Sequence, residues 1–266
     1  MRKNPVLRAA LAVGLVVGIS CSLGGRAAAE SCGLGPVQGV PGGFAYYLMA
    51  LSIGPTFCDT RAGKETNECA NGTDAAYRAK PLTVHGLWPN NYNTQNDDQP
   101  RYCKNVPPGQ LPSDLNSNLT TYMPGVADNL EKCEWIKHGV CTTLSYEEYY
   151  RAVVALATIM ENTIGSTITE NNLLGTTVKV SDLVSKVAAK DPKLASAIAV
   201  DCKSMRPHNG EQSRTYISEL HVSIGRDLSG LETGQGPTYI PIDSFGGYPY
   251  SGCQNGAGYL PAGYQD

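Results

Sequence analysis

Eight cysteines lie beyond residue 30 of this 266-residue chain: Cys32, Cys58, Cys69, Cys103, Cys133, Cys141, Cys202 and Cys253. In an exported chain an even set reads as a disulfide framework, and eight cysteines leave many connectivities open. Export is read from the N-terminus. Arg2, Lys3 and Arg8 form a positive region, Ala9 to Cys21 an apolar run, and Ala27-Ala28-Ala29 a small-residue cleavage site ahead of Glu30. Residues 1–29 are therefore expected to be a signal peptide that takes the ninth cysteine, Cys21, with it. Residues 30–266 are expected to form a single domain, secreted or periplasmic. The apolar run is shorter than the roughly 20 residues a membrane helix needs, so no membrane span is expected. Losing Arg2, Lys3, Arg8 and Arg26 with the signal moves the formal charge from −3 to −7. That sign speaks against a non-specific nucleic-acid binder, which presents a basic face. It leaves room for an enzyme with a small positive site.

Phe44 to Ile53 is apolar and aromatic and stops at Gly54-Pro55, the pattern of a buried strand. Pro81 to Trp88 is a second candidate strand with His85 near its end. Asn90 to Pro112 turns to Asn, Asp, Gln and Pro and reads as a long surface loop, a length that usually serves a binding wall. The spacing predicts helices over 127–138 and, most clearly, 145–164, where Ser145 precedes Glu147 and Glu148 in the first turn. Further helical pieces are expected over 181–190 and 192–200, and an alternating strand over 215–224. From Gly230 onward Gly, Pro and Tyr suggest loops with short strands. Helices and strands come in clusters rather than in strict alternation, which favours an α+β fold with a mainly antiparallel central sheet flanked by helices.

Two Trp/Gly-flanked segments hold two of the four histidines. The first is His85-Gly86-Leu87-Trp88-Pro89; the second runs Glu134-Trp135-Ile136-Lys137-His138-Gly139-Val140-Cys141. If the second is helical, Glu134, Lys137, His138 and Cys141 share one face. Alone, that face could be a solvated ion-paired surface, and a lone His85 beside Trp88 could be a satisfied, partly buried histidine. Together the segments supply every group needed to cleave a phosphodiester without a metal. One imidazole takes a proton from a ribose 2′-hydroxyl, the other protonates the departing 5′-oxygen, and a cation steadies the charge on phosphorus. A zinc reading of Cys133, His138 and Cys141 lacks its second pair of ligands and sits poorly with an oxidising compartment.

The segments resemble the two active-site signatures of the ribonuclease T2 family, and a looser similarity runs from the strand before Cys58 to Cys253. The resemblance implies an α+β fold and metal-independent cleavage of single-stranded RNA through a 2′,3′-cyclic phosphate to 3′-phosphate ends, with low base specificity. It casts His138 as the base, His85 as the acid, and Glu134 and Lys137 as the groups on the phosphate. Trp88 would stack on a base, and Asn90 and Tyr92 would meet its edge. It further implies no cofactor or metal, no cleavage of DNA, which lacks the 2′-hydroxyl, and a monomer. Many family members carry another histidine just before the glutamate of the second signature; here that position is Cys133. The family pattern pairs Cys58 with Cys69, Cys103 with Cys141 and Cys202 with Cys253, and leaves Cys32 with Cys133. A catalytically silent binding or signalling module on the same fold is the alternative function, and a metal-dependent phosphodiesterase a third.

Overall fold

The computed structural model describes residues 32–60, 62–92, 98–206, 213–245 and 250–264. The expected signal peptide lies outside the described residues. Strands β1 (Tyr46–Ile53), β2 (Leu82–Asn90), β3 (Thr176–Lys179), β4 (Ile198–Met205), β5 (Arg214–Ile224), β6 (Tyr250–Ser251) and β7 (Ala257–Leu260) share one sheet. Its main path runs β2-β1-β5-β4-β6, with β3 on β7 and β7 on β5. β1 is antiparallel to both neighbours, β4 to β5 and β3 to β7; among the described strands only the short β4–β6 and β5–β7 pairings are parallel. The mainly antiparallel α+β fold expected from the sequence is the fold observed.

Helices α1 (Gly54–Cys58), α2 (Asn67–Asn71), α3 (Asp74–Ala79), α4 (Ser113–Tyr122), α5 (Leu130–Lys137), α6 (Tyr146–Met160), α7 (Ser166–Glu170), α8 (Val180–Ala188) and α9 (Pro192–Ser196) accompany the sheet, with short 3₁₀ and π-helical turns between them. α6 opens with a capping box: the Ser145 hydroxyl accepts from the Glu148 N–H at 3.3 Å, and the Glu148 carboxylate accepts from the Ser145 N–H at 2.7 Å. These reciprocal bonds satisfy two N–H groups that a helix start leaves orphaned. The helical run Tyr146–Glu170 is apolar and long enough to cross a membrane by composition. Here Tyr149, Tyr150, Leu156, Met160 and Ile164 bury it in the core beside Met49, Leu51, Ile53 and Leu87. α6 also holds both signature segments in place. The Tyr149 hydroxyl donates to the Leu87 carbonyl at 2.6 Å on β2, and the Tyr150 hydroxyl donates to the Glu131 carbonyl on α5.

Four disulfides join described residues: Cys32–Cys133, Cys58–Cys69, Cys103–Cys141 and Cys202–Cys253. With Cys133 and Cys141 both oxidised, neither offers the thiolate that the zinc reading of Cys133, His138 and Cys141 needs. Three local expectations are corrected. The helix expected over 127–138 starts only at Leu130, because Asn129 takes a left-handed φ of 63° between a 3₁₀ turn and α5. That helix ends at Lys137, so Cys141 lies in a separate 3₁₀ turn, Gly139–Cys141, rather than on a continued helical face. Of the piece expected over 192–200, only Pro192–Ser196 is helical; Ile198 begins β4, where pairing with β5 overrides local helix preference.

Candidate active site

The first signature is shaped by a β-bulge. On β2, Val84 pairs with Leu51 and Gly86 with Ala50, so His85 is the extra residue. A regular strand would send His85 and Trp88, three apart, to opposite faces. The bulge puts His85 on the side of Gly86 and Trp88, while Val84 and Leu87 are both buried in the core. Gly86 is needed for contact with the second signature: a Cβ there would lie 2.1 Å from Glu134 Oε2 and 2.4 Å from Trp88 Nε1. The Glu134 carboxylate reaches β2 through this gap and accepts the Trp88 indole N–H at 2.6 Å.

The second signature uses the end of α5. Glu134 and Trp135 are buried. Trp135 packs edge-on against Tyr146 and Tyr149, with centroids 5.3 and 5.7 Å away, and its N–H donates to the Val106 carbonyl at 3.1 Å. Gly139 makes room for that ring, since a Cβ there would meet it at 2.3 Å. His138 caps the helix and turns its ring onto Trp88, 5.3 Å between centroids at 32°. His85 approaches the same indole edge-on at 5.1 Å. The loop after the first signature crosses this end of α5: the Tyr102 N–H donates to the Lys137 carbonyl at 2.8 Å, and Cys103 is bonded to Cys141.

The two histidines carry opposite proton biases. Burial pulls His85 down. The hydrogen bond to Glu219 and the charges of Glu134 and Glu219 outweigh it and raise the ring to about 9, with Lys137 opposing. For His138, burial and then the positive charges of Lys137, His85 and Arg101 all act downward, holding it well below the ordinary histidine value. Its Nδ1 is buried with no hydrogen-bond partner among the described residues. Burial raises Glu134, against His85, the Trp88 N–H and Lys137, which favour its carboxylate.

Asn90 and Tyr92 lie further along, at and just past the end of β2. Asn90 pairs with Tyr46 across the strands and hydrogen-bonds its side chain. Tyr92 stacks on Tyr46 at 5.1 Å and 22°, leaving 41% of its surface exposed. The structure thus gathers His85, Trp88, Glu134 and His138 at one point, with Lys137 adjoining, and places Asn90 and Tyr92 at Tyr46.

Residues that the sequence reading did not single out complete the site. The His85 Nδ1 lies 2.7 Å from Glu219 Oε1, and the Ser52 hydroxyl donates to that same oxygen at 3.1 Å. The His221 Nε2 lies 3.0 Å from Glu219 Oε2, and its Nδ1 lies 3.7 Å from Asp201 Oδ2. The signal was present in β5: its apolar members Leu220, Val222 and Ile224 leave Glu219 and His221 alternating onto the other face. Which strand would meet them was not readable. Among the described residues Asp201, Glu219 and His221 also form a group with one ligand atom each within 4.8 Å of one another. A cavity of about 310 Å³ opens beside His85 and Glu219, with Ser52, Phe57, Glu68, Thr83 and Asp128 in its wall.

Fold and site define a disulfide-stapled α+β protein with two histidines, a buried carboxyl and a lysine around one partly exposed indole. The Ribonuclease T2 family model matches residues 44–232, and the chain belongs to that family. It is 36% identical to a probable ribonuclease of Haemophilus influenzae over 114 residues, which span 40% of this chain and 39% of that relative. It is 27% identical to ribonuclease I of Escherichia coli over 216 residues, 70% of this chain and 77% of that one. A solved structure of an RNase MC1 mutant with 5′-UMP superposes with a TM-score of 0.56 at 19% identity, covering 82% of this chain and 98% of its own. RNase NT with 5′-AMP gives 0.55 at 16% identity, covering 82% and 98%. At these identities the structural likeness is one of fold.

Proposed function

We propose that the protein is an exported, metal-independent endoribonuclease that cleaves single-stranded RNA through a 2′,3′-cyclic phosphate to 3′-phosphate ends. The observation that carries this reading is the pair of histidines flanking Trp88, one biased to hold its proton and one biased to be free of it. Two titratable groups whose surroundings push them apart are suited to act as acid and base. His138, neutral at ordinary pH, takes the 2′-hydroxyl proton. The 2′-oxygen attacks phosphorus, and His85 gives its Nε2 proton to the departing 5′-oxygen. In the second step the roles reverse: His85 takes a proton from water, and His138 returns one to the 2′-oxygen.

Lys137 steadies the extra negative charge on the pentacoordinate phosphorus. Glu134, held by the Trp88 N–H and facing the His85 Nε2 at 3.9 Å, stands beside Lys137 against the phosphate. The partly exposed Trp88 ring offers a face on which any base can stack, worth roughly 1–3 kcal/mol, which fits low base specificity. Asn90 and Tyr92 meet the base edge. The disulfides fit an oxidising compartment, secreted or periplasmic, reached with residues 1–29 as the signal. The mature domain, residues 30–266, acts as a monomer.

Incubation of the purified protein with RNA and with DNA of the same sequence in EDTA, across pH 4 to 8, tests the reading. Cyclic-phosphate ends on RNA and intact DNA are expected. No RNA cleavage would favour a silent binding module, and loss of activity in EDTA a metal-dependent enzyme.

A further inference from the structure

Glu219 lies 134 residues from His85 in the chain and touches it at 2.7 Å. Its two oxygens are both engaged: Oε1 by His85 and the Ser52 hydroxyl, Oε2 by His221, whose other nitrogen faces Asp201 at 3.7 Å. Contacts on both oxygens leave the carboxylate little freedom to rotate. Strand register repeats the arrangement in the backbone, since Ser52 pairs with Glu219 across β1 and β5, and Glu219 with Asp201 across β5 and β4.

We propose that Glu219 is the positioning residue for His85: its carboxylate takes the ring's Nδ1–H, turns Nε2 toward the leaving oxygen, and is itself anchored by His221 and Asp201. The proposal rests on the reading of His85 as general acid. In the first step the Nε2 proton passes to the 5′-oxygen as its bond to phosphorus breaks. The neutral imidazole that remains keeps its other proton on Nδ1, where Glu219 holds the tautomer for the second step. No proton moves to Glu219. The arrangement fits a ring whose Nε2 faces Glu134 at 3.9 Å, on the side where the phosphate would lie.

The charge on His85 is set by groups from every element around it: Glu219 and His221 on β5, Glu134, Lys137 and His138 from α5 and its cap, and Glu68 on α2. Burial pushes Glu219 up, but the hydrogen bonds from His221 and His85 and the charges of both rings hold it well below the usual carboxylate range. Glu219 therefore stays ionised wherever the enzyme would work.

The test compares two substrates, the dinucleotide UpA, whose 5′-oxygen must be protonated to leave, and uridine 3′-(p-nitrophenyl phosphate), whose leaving group needs no acid. Glu219→Gln keeps an acceptor for Nδ1–H and removes the charge. It is expected to lower kcat on UpA by about 10- to 100-fold with KM changed less than about threefold, to spare the activated ester, and to move the alkaline limb of the UpA profile to lower pH. Proportional losses on both substrates with an unmoved limb would overturn the proposal. His85→Ala separates the two layers. If it loses both substrates equally, the acid reading of His85 fails; if it spares the activated ester and Glu219→Gln does not, the positioning role alone fails. Should Glu219→Gln not fold, His221→Gln removes the second anchor and leaves His85 and Glu219 in place. The same split between substrates, smaller at about 3- to 10-fold, is then expected, and no split overturns the proposal.

Discussion

His85 sits between the carboxylates of Glu219 at 2.7 Å and Glu134 at 3.9 Å, while His138 packs half-buried against Trp88 with Lys137, His85 and Arg101 near it. An imidazole near carboxylates keeps its proton, and one half-buried among cations gives it up. On that ground His85→Phe and His138→Phe are each expected to lower kcat by at least about 10²-fold, the usual worth of a general acid or base. Steady-state kinetics on UpA would check this, and full activity in either variant would remove that histidine from the mechanism. Lys137→Ala should keep the melting temperature and lower turnover, because α5 ends at this residue and its ammonium acts on charge rather than packing. The sequence made His85, Trp88, Glu134, Lys137 and His138 legible, since each stands in a short motif. Ser52, Asp201, Glu219 and His221 stand in no such motif. They join the site through strand pairing, which local pattern does not encode.

At the scale of elements, the site depends on a bulge and on a staple. The bulge at His85 turns two residues of β2 to the functional side, and Gly86 leaves the space that Glu134 fills. Gly86→Ala is expected to leave the circular dichroism unchanged and to lower kcat roughly 10- to 100-fold, because a displacement near 1 Å is costly at a reacting centre. The Cys103–Cys141 bond ties the crossing loop to the turn that follows His138. Replacing both cysteines with alanine is expected to cost on the order of 2–5 kcal/mol in urea unfolding; an unchanged midpoint would count against this role. Sequence periodicity located α6 because its caps and apolar stripe agree. It extended α5 at both ends, because nothing local announces the left-handed Asn129 or the 3₁₀ turn that carries Cys141.

Across the whole molecule, buried acids couple stability to pH. Glu161, in the π-helical turn after α6, accepts the Leu82 N–H at 3.3 Å, and burial raises it to about 7 against that bond and Lys80. A carboxyl raised in the folded state binds more protons there than in the unfolded chain, so stability falls as pH rises between about 4.5 and 7. His85, raised to about 9, adds its own stabilisation below about 6.5 and loses it as pH climbs through 9. From pH 5 to pH 8 Glu161 and His85 lower the unfolding free energy, while His138, held below its ordinary value, raises it up to about pH 6.5; Glu161→Gln is expected to remove from the fall a part on the order of 2 kcal/mol. Urea titrations at both pH values would show it; equal slopes in the two proteins would sink the assignment. The sequence by itself determined the α+β class and the nearest chemical groups, because periodicity, caps and compact motifs are written within a few residues. Tertiary structure alone decided which histidine holds its proton and what steadies it. Burial and field are sums over β5, α5 and α2, elements that meet only when the chain has folded.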